Sequence, residues 1–81
     1  MNTANRGYDY SELLGIIKAK NLRQEDLARK INMNPSTLNL KLNNKSEFTQ
    51  SQMKRICMVL GIPLNNLSRV FFCPLTLENA S

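Results

Sequence analysis

The side chains able to do chemistry in this chain are amides, hydroxyls and amines. They crowd into one stretch that holds Gln24, Ser36, Thr37, Asn39, Lys41, Asn43 and Lys45. Such groups donate and accept hydrogen bonds and neutralise anions; they do not by themselves make or break covalent bonds. The arrangements that would activate them are missing. There is no His, which excludes Ser–His and Cys–His nucleophile pairs. The only cysteines are Cys57 and Cys73, too few for a four-ligand zinc site or a disulfide framework. The three glycines, Gly7, Gly15 and Gly61, are too scattered to cradle a phosphate in a loop. No enzyme activity, metal, cofactor or small-molecule substrate is expected.

Charge narrows the partner. Eleven Lys and Arg face six Asp and Glu, a net charge of +5 in 81 residues, with a pI near 9.6. A basic balance of this kind suits a polyanion, although a solvated basic surface gives the same figure. Asn is abundant, at eleven residues. Its amide reaches phosphates and base edges, and it equally supplies caps and turns. Cys57 lies on an apolar helical stripe, which points to reduced thiols and a cytoplasmic setting. With no apolar run of about twenty residues and no signal-type apolar core, no membrane partner is expected.

The elements that must position the polar stretch are short helices. In QEDLARKI, Leu27, Ala28 and Ile31 share one helical face. Asn32-Met33-Asn34 interrupts it, and Asn tolerates a left-handed backbone. Asn34 is placed as an N-cap and Pro35 as the first residue of the next helix, whose Leu38 and Leu42 face inward. Ser36, Asn39 and Leu40 then lie on the outer side, with Thr37 on a flank. Leu40, about 200° round from Leu38, is either a scattered exposed apolar residue or a contact for a thymine methyl. Gln24 opens the first of the two helices, where it can meet a phosphate or be an ordinary polar N-terminal residue. Two short helices, a tight turn and a basic chain make a helix-turn-helix, with the second helix in the DNA major groove.

The flanks supply a core. Residues 1–8 read as a flexible arm in which Arg6 is within reach of a phosphate. Asp9 is the expected N-cap of a first helix, with Glu12 completing a capping box, and the helix runs to about Lys20. Tyr10, Leu13, Leu14 and Ile17 are its buried face, and Gly15 marks a close approach of another helix. Asn43 to Ser46 form a polar loop. Thr49 and Gln52 cap a fourth helix that buries Met53, Ile56, Cys57 and Leu60, leaves Lys54 and Arg55 solvated, and ends at Gly61. Pro63 opens a fifth helix with Leu64 and Leu67 as its apolar pair. The domain is placed at 9–68. Residues 69–81 are an apolar tail in which Val70, Phe71, Phe72, Cys73, Leu75 and Leu77 exceed what five helices need: either Phe71 or Phe72 plugs the monomer core, or the surplus makes a dimer contact, the favoured expectation, through Val70, Phe71, Phe72 and Leu75.

Residues 22–43, the trailing LNNKSEFT and the later VLGIPLNNL resemble the Cro/C1-type helix-turn-helix family. The opening YDYSELLGII, the run STLNLKLNNKSEF and the final Phe-Phe are similar to small phage Cro-like repressors of Gram-positive hosts, over roughly residues 8–73. The resemblance implies an all-α, five-helix lambda-repressor-like domain. It implies a homodimer on a near-palindromic double-stranded DNA operator, without a cofactor. It puts Gln24 and Asn43 on phosphates, packs Ala28 against the third helix, and assigns base reading to Ser36, Thr37, Asn39 and Leu40. Pro35 departs from the family pattern, because it has no polar group to offer a base. Lys41 stands where many members are apolar; with Lys45 it is assigned to phosphates. The chain ends at 81 without the second domain usual in lysogeny repressors, which favours a Cro-like protein. The competing expectation is a protein-interaction module on the same fold, such as an antitoxin or adaptor. An RNA-binding domain fits less well, since Tyr8 and Tyr10 lie outside the second helix of the motif.

Overall fold

The computed structural model describes residues 7–74. Five helices fold in chain order: α1 (Ser11–Ala19), α2 (Gln24–Lys30), α3 (Pro35–Leu42), α4 (Gln50–Leu60) and α5 (Leu67–Phe71). A 3-10 turn, Leu64–Asn66, leads into α5. Among the described residues there is no strand, only an isolated antiparallel bridge between Tyr8 and Pro74. The all-α helix-turn-helix architecture expected from the sequence is the one observed.

One device ends four of these helices. Asn21, Asn32 and Asn44 take left-handed φ values of 60°, 60° and 62° after α1, α2 and α3, and Gly61 takes 73° after α4. At each end the residue that follows donates its backbone N–H across the closing turn: Leu22 to Ile17 O, Met33 to Ala28 O, Lys45 to Leu40 O and Ile62 to Cys57 O. This is the Schellman closure, which satisfies carbonyls that a helix end leaves unpaired. Its customary companion is an apolar residue just past the left-handed one. Leu22 and Met33 pack against the core and Ile62 is buried. Lys45 is the exception, and it is exposed.

The core joins all five helices. Leu13 and Ile17 of α1, Leu27 and Ala28 of α2, Leu38 and Leu42 of α3, and Met53, Ile56, Cys57 and Leu60 of α4 are buried together. An aromatic cluster closes one end, with Tyr10 edge-on to Phe48 at 5.6 Å and Phe48 edge-on to Phe71 at 5.2 Å. Burial also pushes the Cys57 thiol above its ordinary value, so this sulfur is core rather than nucleophile.

Several expectations are corrected. Asp9 does not cap α1 in the expected register; Tyr10 is the cap residue. One residue further out, the Asp9 carboxylate still accepts from the Ser11 backbone N–H at 2.9 Å and the Ser11 hydroxyl at 2.5 Å, and so satisfies the N–H of the first residue of α1. Glu12 pairs at 2.8 Å with Arg69, at the other end of the chain. Leu14 points outward, and open space surrounds Gly15 where a neighbouring helix was expected. Arg55 is not simply solvated: its guanidinium donates to Ile31 O at 3.2 Å, at the end of α2. Leu64 is exposed, because the turn after Pro63 is 3-10 and α5 starts only at Leu67.

The largest correction concerns the tail. α5 crosses the expected boundary at 68, and Val70 and Phe71 are completely buried in the chain's own core. They are not available as a dimer surface. The core of α1 to α4 is incomplete without them, which composition alone does not reveal. At the other end Gly7 and Tyr8 belong to the folded domain, not to an arm, because the Tyr8 backbone pairs with the Asn44 side chain and bridges to Pro74. Arg6, Leu75 and Leu77 lie outside the described residues.

Candidate nucleic-acid interface

The turn between α2 and α3 presents the outer face of α3. Asn34 caps α3 through its side-chain oxygen, which accepts from the Ser36 backbone N–H at 2.9 Å. Pro35 follows at the first helical position. On the inner side Leu38 and Leu42 pack on α2 and the core, so residues half a turn away must face solvent. Ser36, Asn39 and Leu40 do so, and Thr37 is half-buried on the flank.

An open groove of about 580 Å³ runs between the start of α2 and this face. Arg23, Gln24, Glu25, Pro35, Ser36, Asn39 and Leu40 line it. The structure therefore brings Gln24 together with three of the four expected base readers, and Thr37 is not among the lining residues. Leu40 is 49% exposed, a large apolar side chain held in water beside polar neighbours. Arg23 and Glu25 were not singled out from the sequence. Arg23 precedes α2 in extended backbone, and its side chain is 78% exposed. Only the fold shows that this position opens onto the same groove as α3.

The polar side chains of the face are already partly committed. The Ser36 hydroxyl donates to Asn34 Oδ1 at 2.7 Å, which leaves its oxygen as an acceptor. Asn43 Nδ2 donates to Asn39 Oδ1 at 2.7 Å and to Asn39 O at 2.9 Å. That pair holds Asn39 along the helix and leaves its NH₂ as a free donor. The face thus offers one oriented acceptor, one oriented donor and one apolar surface, in the order Ser36, Asn39, Leu40.

Cations sit unevenly around it. Lys45 stands exposed at the end of α3, where the other helix ends carry buried or half-buried apolar residues. Lys41 is different. It is 8% exposed, and its ammonium donates to Glu47 O at 2.6 Å and lies 3.4 Å from the Ser46 hydroxyl. The expected phosphate role of Lys41 is corrected on that ground: a buried ammonium must be hydrogen-bonded, and this one is bonded to its own loop. At the N-terminal side, Asp26 accepts from the Arg23 backbone N–H at 2.9 Å, with the Arg23 and Arg29 guanidiniums at 3.7 and 3.6 Å. The backbone hydrogen bond is the main reason its carboxyl is held below the ordinary 3.8; slight burial opposes it, and the two arginines add to it.

A family model described as helix-turn-helix matches residues 13–67, which spans α1 through the start of α5. The chain belongs to the Cro/C1-type helix-turn-helix family. In this helix-turn-helix protein α2 and α3 are the two helices of the motif. It is a DNA-binding transcription regulator whose partner is double-stranded DNA. No curated protein matches the chain. No helix among the described residues is long and apolar enough to cross a membrane.

Proposed function

We propose that the protein is a Cro-like transcriptional repressor that binds a near-palindromic operator as a dimer and acts by occupying DNA. The observation that carries this reading is the groove joining Gln24 to Ser36, Asn39 and Leu40. It presents base-reading chemistry and a phosphate-contacting helix start on one exposed surface. In this reading Ser36 accepts from an adenine or cytosine amino group, and Asn39 donates to a purine N7 or a carbonyl oxygen. Leu40 meets a thymine methyl, and Thr37 reaches the groove only from its flank. Gln24, Lys45 and the newly placed Arg23 hold the phosphates on either side; Asn43, whose amide hydrogens both go to Asn39, joins them only by releasing that pair. With Pro35 at the helix start the base contacts are few, so DNA shape and methyl contacts carry more of the specificity. A C2 dimer would set its two recognition helices about 34 Å apart, one turn of DNA. With Val70 and Phe71 buried, the dimer contact among the described residues falls to Phe72, which is 41% exposed beside Tyr8.

Selection of duplexes from a randomised pool by the intact protein tests this. The expected product is a pair of inverted half-sites spaced by one or two turns. Asn39→Ala should then weaken the selected duplex by about 1–3 kcal/mol while leaving a random duplex of equal length nearly unaffected. Failure to enrich any sequence, with salt-insensitive binding, would favour an interaction module such as an antitoxin or adaptor.

A further inference from the structure

The left-handed residue that ends the recognition helix does more than close it. Glycine serves such a position at least cost, as it does at Gly61. Asn44 occupies the position after α3 and uses its side chain at long range. Its Oδ1 accepts from the Tyr8 backbone N–H at 3.0 Å, and its Nδ2 donates to the Tyr8 carbonyl at 3.0 Å. The amide thus stands in for a paired backbone unit, 36 residues away in the chain. Among the described residues, neither Asn21 nor Asn32 makes a side-chain hydrogen bond of this kind.

The segment it grips is held on its other side by the end of α5. Asp9 N donates to Cys73 O at 2.7 Å, and Tyr8 bridges to Pro74. The Tyr8 ring stands edge-on to Phe72 at 5.3 Å. The approach at Asn44 is close: a Cβ at position 7 would lie 2.7 Å from Asn44 Cγ, so an alanine there displaces the Asn44 amide. One short extended segment therefore spans from the close of the recognition helix to the close of the last helix.

We propose that Asn44 is a positioning residue for DNA recognition, acting through the Gly7–Tyr8 segment. The clasp fixes the direction in which α3 ends and so sets how Asn39 and Leu40 meet base edges, while the phosphate contact of Lys45 stays open to any sequence. Asn44 itself touches no base in this proposal. The proposal rests on α3 being the DNA-reading helix, and extends the binding unit to a segment remote from it in sequence.

The test uses a duplex selected by the wild-type protein and a random duplex of equal length, with folding checked by circular dichroism. Asn44→Gly keeps the left-handed turn and removes the amide. Gly7→Ala leaves every residue of α3 and its loop unchanged and forces the amide out of the clasp. Each is expected to weaken the selected duplex about tenfold, the worth of two hydrogen bonds to an ordered segment, with a change of under about twofold on the random duplex. The two together should lose no more than one alone, since both break the same contact. Tyr8 amide exchange should accelerate in both. Selected-duplex affinity unchanged in folded Asn44→Gly, or an additive loss in the pair, would overturn the proposal. If Asn44→Gly does not fold, Gly7→Ala alone decides by the same two affinities. A selected duplex and a random duplex bound equally by the wild type would defeat the DNA-reading assignment instead, and is distinguishable for that reason.

Discussion

Two lysines four residues apart show how much a single side-chain direction decides. Lys41 and Lys45 carry the same charge on the same end of α3, and sequence assigns both to phosphates. The structure turns Lys41 inward onto Glu47 O and leaves Lys45 in solvent. Counterion release then separates them. Lys45→Ala should reduce the slope of log affinity against log salt by about 0.9, one phosphate's worth. Lys41→Met should leave that slope unchanged, because its ammonium is spent on the loop. Measurement of binding at four or five salt concentrations decides both, and a shallower slope in Lys41→Met would return that residue to the phosphate set. The outer face of α3 was readable in the sequence because helical periodicity assigns direction once Leu38 and Leu42 are known to be buried. The inward turn of Lys41 was not readable, since it depends on where the backbone of residues 46 and 47 comes to lie.

At the scale of elements, the helices are delimited by chemistry the sequence displays openly. Asn34-Pro35 starts α3, Thr49 and Gln52 cap α4 reciprocally, and Asn or Gly closes each of the first four helices. The expected α1 start lies one residue early, and its capping box stays incomplete because Glu12 turns to Arg69, a partner 57 residues away that a local pattern cannot show. Asn32 lies inside the turn of the motif itself, so its cost is directly testable. Asn32→Ala forces an alanine into the left-handed region and should cost about 1 kcal/mol of stability, whereas Asn32→Gly should be tolerated or slightly stabilising; urea unfolding measures both. The α2 start gives a second test. Asp26 is held below 3.8 in the fold, chiefly by the Arg23 N–H, and regains its ordinary value on unfolding. The unfolded chain therefore binds more protons in acid. The stabilising contribution is fully present above 3.8 and is lost as pH falls through the folded value. Asp26→Asn should flatten the decline in Tm between about pH 5 and about pH 3, and an acid limb as steep as that of the wild type would show that this contact does not contribute to it.

The whole molecule is small enough that its last helix decides whether there is a core at all. A chain of 81 residues has little apolar surface to spare, so the Val70-Phe71-Phe72 run must be divided between interior and exterior. Sequence shows the run as one apolar block and cannot divide it, because the split depends on how α5 rolls against α1 and α4. In the fold, Phe71 has no exposure and meets Phe48 and Tyr10, while Phe72 lies 41% exposed against Tyr8. The two neighbouring phenylalanines should therefore fail differently. Phe71→Ala removes a ring from the centre of the aromatic cluster and should cost about 3–5 kcal/mol, enough to unfold much of a domain this size. Phe72→Ala should keep the helical signal and the urea midpoint close to those of the wild type. If the dimer forms through this edge, the same variant should sediment as a monomer at concentrations where the wild type is a dimer. It should also bind a single half-site as well as the wild type, yet lose the gain from two half-sites on one duplex, since each recognition helix would then hold the DNA alone. Wild-type sedimentation and two-site binding retained in Phe72→Ala would remove this edge as the dimer contact and leave α3 acting on DNA without it.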